Sequence, residues 1–148
     1  MFLVKRLGMA AKADSLAAYE GTGLMPYHHA ILALLEEGTT ETQGAIAEAL
    51  GYDKGQLVGM LDDLEQAGMI ERRRDPGDRR RHVVQMTPAG KTALARLRRL
   101  SADLEAEFLA PLGDAERAKL HLLLLRLAEH HVPSCAGMSA PGLPAAAD

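Results

Sequence analysis

Six arginines fall within the twelve residues 71–82, ERRRDPGDRRRH, against three carboxylates, Glu71, Asp75 and Asp78. The chain as a whole carries a formal net charge of −3. A basic spot on an acidic body is the electrostatic footprint of a protein that touches a polyanion at one place. A solvated, salt-bridged loop is the competing account of the same residues.

Other reactive side chains are sparse. The single cysteine, Cys135, excludes an internal disulfide framework and fits a reducing cytoplasm. His130, His131 and Cys135 lie close in sequence, but their spacing matches no closed zinc pattern, so no metal or other cofactor is expected there. A cysteine- or metal-responsive regulator stays open as an alternative. The sequence holds no nucleophile elbow, phosphate loop, dinucleotide fingerprint or paired-carboxylate constellation, which argues against an enzyme. The short apolar start is interrupted by Lys5 and Arg6, and no long uncharged run follows, so neither a signal peptide nor a membrane span is expected.

The elements that must carry the basic segment follow from spacing and punctuation. With 47% apolar residues, 3% aromatic and no Trp, the core is aliphatic and largely helical. Leu3, Leu7, Ala10, Ala11 and Leu16 recur near helical spacing over residues 3–19. Pro26 opens a second helix through Ile31, Leu34 and Leu35 that stops at Gly38. Thr42 is a plausible N-cap for a short helix ended by Gly51, and Asp53 caps the next, whose Leu57, Leu61 and Leu64 share one face. Residues 69–74 and 82–86 are β-compatible runs around the turn Asp75-Pro76-Gly77-Asp78. Thr87-Pro88 starts a long helix, and Asp114 starts a last one bearing six leucines within residues 120–127. The Pro-, Ala- and Gly-rich residues 132–148 are expected to form a mobile tail.

Helix, short helix, helix and hairpin, in that order, predict a mainly α fold with a small β-hairpin: a winged helix-turn-helix over residues 24–87. Residues 2–20 and 88–131 flank it as dimerisation helices, the whole forming a single unit over residues 1–131. In such a module the second helix lies in the major groove and reads base edges near its N-terminus. Lys54, Gly55, Gln56 and Gly59 occupy its first exposed turns. Gln56 suits an adenine edge, and Lys54 a guanine or a phosphate. Gly55 and Gly59 permit close backbone approach, with tight packing against a neighbouring helix as the other account of each. Asp62 and Asp63 would repel phosphates, so that half of the helix must point away or be screened. The wing must then supply much of the attraction, through Arg79 and Arg80 foremost and less through residues 72–74, of which Arg74 lies nearest the tip. An Arg at the tip suits a narrow minor groove, and Asp78 could hold the Arg80 guanidinium in a bidentate pair. Thr42 joins the candidates for DNA contact. A winged helix that binds protein in place of DNA remains the alternative, with the acidic Asp62-Asp63 edge in its favour.

The stretch GAIAEALGYDKGQLVGMLDDLEQAGMIERRRDPGDRRRHVVQMTPAG resembles the core of the MarR family of bacterial transcriptional regulators. Asp78, Arg80, Met86, Thr87 and Gly90 meet its signature, and the likeness runs from about Leu24 to His130. The resemblance implies a triangular homodimer on a pseudo-palindromic double-stranded DNA site, with repression as the default. It also implies release by a small anionic or phenolic effector bound between dimer domain and wing module. Tyr19, Tyr27, His28 and His29 fall near that junction and could offer hydrogen bonds, although ordinary boundary packing is the favoured account of all four. Many members carry Ser or Thr near Gly55 and Gln56 and an Arg near Gly59, where this chain departs. Independently of the family, the leucines of residues 120–127 cover nearly every side of one helix, more than one small core can hide. A partner copy would bury them, with a helix buried inside the monomer as the competing account.

Overall fold

Three side-chain oxygens set where helices begin. Thr42 Oγ1 accepts from the Ala45 amide at 3.3 Å, Asp53 Oδ1 from those of Gly55 and Gln56 at 2.8 and 3.3 Å, and Thr87 Oγ1 from that of Gly90 at 3.1 Å. Each satisfies amides that the first helical turn leaves without a partner. In the computed structural model, which describes residues 1–38, 42–74 and 82–132, these caps open three of six helices. The order is α1 (Phe2–Glu20), α2 (Pro26–Glu36), α3 (Gln43–Leu50), α4 (Lys54–Gln66), β1 (Ile70–Arg74), β2 (His82–Met86), α5 (Pro88–Phe108) and α6 (Asp114–His131). The turn at residues 75–78 and the tail beyond residue 132 lie outside the described residues.

Two glycines are required by geometry. Gly51 closes α3 at φ +67°, a left-handed conformation that side chains resist. Gly90 lies so close to the chain entering the hairpin that a Cβ there would stand 2.1 Å from the Met69 carbonyl oxygen.

The strands pair antiparallel, with Ile70 opposite Met86, Arg72 opposite Val84 and Arg74 opposite His82. Thr42 adds an isolated bridge to Val83, so the short third helix is tied to the hairpin through its cap residue. Because alternate side chains share a face, Ile70 and Val84 turn inward, and Arg72 turns inward with them. Leu57, Leu61 and Leu64 of α4 are sealed against Ile31, Leu32, Ile46, Leu94 and Leu97 in the aliphatic core that composition predicted. Burying each such side chain contributes roughly 1.5–3 kcal/mol.

The flanking helices differ. α5 buries Leu94 and Leu97, and α1 reaches the core through Tyr19, leaving Phe2, Leu3, Val4 and Leu7 mostly exposed. The apolar stripe expected on α1 is therefore largely uncovered within one chain. No residue of α6 is buried, and Leu122, Leu123, Leu124 and Leu127 each stay about half exposed.

Candidate nucleic-acid interface

With Leu57, Leu61 and Leu64 facing the core, helical geometry turns Gly55, Gly59, Asp62 and Gln66 to the opposite side of α4. Lys54, Gly55, Gln56 and Gly59 are all exposed. A Cβ placed on Gly59 would meet nothing within 4 Å among the described residues, so packing against another of the described helices does not account for that glycine. Gly55 differs, since its Cβ would stand 3.0 Å from Asp53 Oδ1, the oxygen that caps the same helix. Val58, which sequence reasoning passed over, is 43% exposed on this surface beside Asp62. Its signal was legible, because it sits off the Leu57-Leu61-Leu64 stripe. Thr42 is half-buried as a cap and bridge residue, and Arg74 is exposed at the end of β1. Asp78, Arg79 and Arg80 lie outside the described residues.

The arginines before the turn divide. Arg73 pairs with Glu71 two residues away, at 2.9 Å on the other face of β1. Arg72 folds back over α4. Its Nε donates to Glu65 Oε2 at 2.9 Å, its backbone amide donates to Glu65 Oε1 at 3.0 Å, and its Nη2 reaches both Glu65 and Asp62. Hydrogen bonds from the Arg72 side chain hold the Glu65 carboxyl below its ordinary pKa, and the same bonds raise that of Arg72. The remaining acidic residue of this segment, Asp63, faces a different element: its Oδ2 stands 3.7 Å from Nε2 of buried His28 on α2.

The junction residues proposed for an effector form two pairs. Tyr19 Oη and His29 Nδ1 share a hydrogen bond of 2.7 Å, and the Tyr27 ring meets the His28 ring edge-on at 4.4 Å. Burial raises the Tyr19 hydroxyl pKa, and it lowers that of His29, with Arg98 adding to the effect. A cavity of about 310 Å³ opens elsewhere, lined by Leu35, Glu36, Val84, Gln85, Met86 and Lys91 among others, and none of the four junction residues lines it. Among the described residues no group of three or more His, Cys, Asp or Glu side chains gathers to hold a metal, and no helix is long and apolar enough to cross a membrane. Cys135 lies outside that set.

A model of the MarR family matches residues 22–81. The transcriptional regulator HosA of Escherichia coli is 31% identical over 98 residues, covering 66% of this chain and 72% of HosA. The chain belongs to the MarR family. A relative from Thauera aromatica, named for regulation of the hcr operon, is 37% identical over 105 residues. That match covers 71% of this chain and 63% of the relative, so the chain spans less than two thirds of that relative's length. Among solved structures, the repressor CouR bound to a 23-mer DNA duplex superposes with a TM-score of 0.78 at 33% identity, covering 86% of this chain and 90% of CouR. The winged-helix fold read from the sequence is thus the fold of MarR-family structures, and the relatives are transcriptional regulators, not enzymes. For a MarR-family chain the flanking helices count as part of the likeness, since the structural match extends well beyond residues 22–81.

Proposed function

We propose that this MarR-family chain is a cytoplasmic, homodimeric repressor that binds a pseudo-palindromic operator in double-stranded DNA and is released by a small ligand. The observation that carries the proposal is the exposed face of α4. Gly59 has no neighbour among the described residues to explain it, and Lys54 and Gln56 are exposed in the first turn of the same helix, which three sealed leucines anchor. Such a face lets the backbone come close to base edges, with Gln56 placed to pair with adenine and Lys54 with guanine or phosphate. Arg74 is exposed at the end of β1, where a wing would meet the neighbouring phosphates, and Arg79 and Arg80 follow it in sequence as the further candidates for the groove. CouR, similar along most of its length, is itself seen on a DNA duplex.

Dimerisation rests on α1 and α6. Their exposed Phe2, Leu3, Leu7, Leu122, Leu123, Leu124 and Leu127 form apolar surface that one chain leaves in water. A second copy would remove it, at about 25 cal/mol for each Å² of apolar area covered. The effector reading rests on the junction of α1 and α2, where Tyr19, Tyr27, His28 and His29 gather: Tyr19 and His29 bond each other, and His28 Nε2, without a partner among the described residues, is the group left to meet an anionic or phenolic molecule.

In vitro selection of bound duplexes tests the proposal. Two inverted half-sites about one or a few helical turns apart are the expected outcome. Failure to retain duplexes of any sequence at low salt, where phosphate contacts are strongest, would overturn it.

A further inference from the structure

Three carboxylates, Asp62, Asp63 and Glu65, lie on the C-terminal half of the helix that would enter the groove. The major groove is about 12 Å wide and the screening length at 0.1 M salt about 10 Å, so unpaired charge on its flank feels the phosphates. Arg72 answers two of the three. It stands on the inward face of β1 between Ile70 and Arg74, a position where alternation would place an apolar side chain, and its side chain is only 20% exposed. An inward cation needs a partner, and this one has both Glu65 and Asp62 across the turn at Gly68. The backbone amide of Arg72 adds its own bond to Glu65, so the strand is fastened to the helix by main chain and side chain together.

We propose that Arg72 is a positioning residue for DNA recognition: it makes no DNA contact, but holds the wing on α4 and masks Asp62 and Glu65 from the phosphates. The inference rests on the docking of α4 and hairpin proposed above. It separates Arg72 from the arginines nearer the tip, although all belong to one basic run. Its guanidinium is already spent on two carboxylates, and its planar fork suits the task of bridging them better than a lysine ammonium would.

The test is a cycle of variants scored by affinity for a selected duplex, measured on folded protein well below its melting temperature. If Arg72 acts through the carboxylates, R72M costs about tenfold or more in the wild-type background and less than about threefold in D62N/E65Q, because contacting residues couple in this way. A purely structural role would move the melting temperature and leave the affinity of folded protein unchanged in both backgrounds, which overturns the proposal. An equal loss of affinity in the two backgrounds also overturns it, since Arg72 would then touch DNA itself. If R72M does not fold, R72K is carried through the same two backgrounds and is expected to show a smaller loss in the same pattern. Wild-type protein that retains no duplex refutes the operator reading, and this inference falls with it.

Discussion

His28 of α2 and Asp63 of α4 face one another across the core boundary, with Nε2 and Oδ2 3.7 Å apart, beyond hydrogen-bond reach. Nδ1 of the same ring accepts the Met25 amide at 3.1 Å, which assigns the proton of the neutral ring to Nε2. Among the described residues that Nε2 has no hydrogen-bond partner although it is buried. Burial lowers the His28 pKa below its ordinary value of 6.5, and the Asp63 carboxylate opposes the shift without cancelling it.

A pH dependence follows. Above pH 6.5 the ring is neutral in folded and unfolded chains alike. As pH falls below 6.5 the unfolded chain takes up a proton that folded His28 resists, so stability declines until the folded ring also titrates. The melting temperature is therefore expected to fall from pH 7.5 to 5.5, and to fall less in H28N, whose amide oxygen can still accept the Met25 amide. His29 shifts in the same direction and leaves a residual slope in the variant. Equal slopes for wild type and H28N would refute the assignment.

Gly59→Ala separates fold from recognition. Among the described residues nothing would touch the new methyl group, and alanine in place of glycine favours a helix by about 1 kcal/mol. The variant should melt at a higher temperature, and if α4 lies in the groove as proposed, it should bind its operator more weakly because the methyl group would meet the bases. Unchanged affinity would remove Gly59 from the interface.

Gly90→Ala should do the reverse. Its Cβ would collide with the Met69 carbonyl oxygen and with Met86 Cγ, at 2.1 and 2.7 Å, and backbone cannot yield as a flexible side chain can. Overpacking of this kind costs about 1–3 kcal/mol. Denaturant unfolding of G90A at wild-type stability would show that α5 can shift freely against the hairpin.

Leu123→Glu with Leu124→Glu is expected to give monomers. Both leucines are about half exposed in the single chain, so carboxylates there cost the monomer little and would be buried unpaired between two copies. Sedimentation showing an intact dimer at micromolar concentration would move the interface away from α6.

Much of this architecture was legible because local chemistry and tertiary packing agree. Thr42, Asp53 and Thr87 announce helix starts by residue type alone, and each cap is present. Leu57, Leu61 and Leu64 mark the inward face of α4 by spacing, and all three are sealed. What resisted reading depends on how elements meet. The screening needed by Asp62 was foreseeable, but the identity of Arg72 as its partner follows from how β1 lies across α4. Alternation offered a hint, since Arg72 shares a face with buried Ile70. The exposure of α1 shows a different limit. Periodicity identifies an apolar stripe without saying what covers it.

Thr87 bears on how distant parts of the molecule move together. Its hydroxyl donates to the Gly68 carbonyl oxygen at 2.7 Å while accepting from Gly90, and its amide donates to Met69 at 3.0 Å. One residue therefore clasps the exit of α4 to the root of a 21-residue rod, α5. Such a rod is roughly 30 Å long, so a tilt of about 5° displaces one end by roughly 3 Å relative to the other. Through that clasp, a small change of angle at the far end of α5 becomes a displacement of the end of α4 and the root of the hairpin.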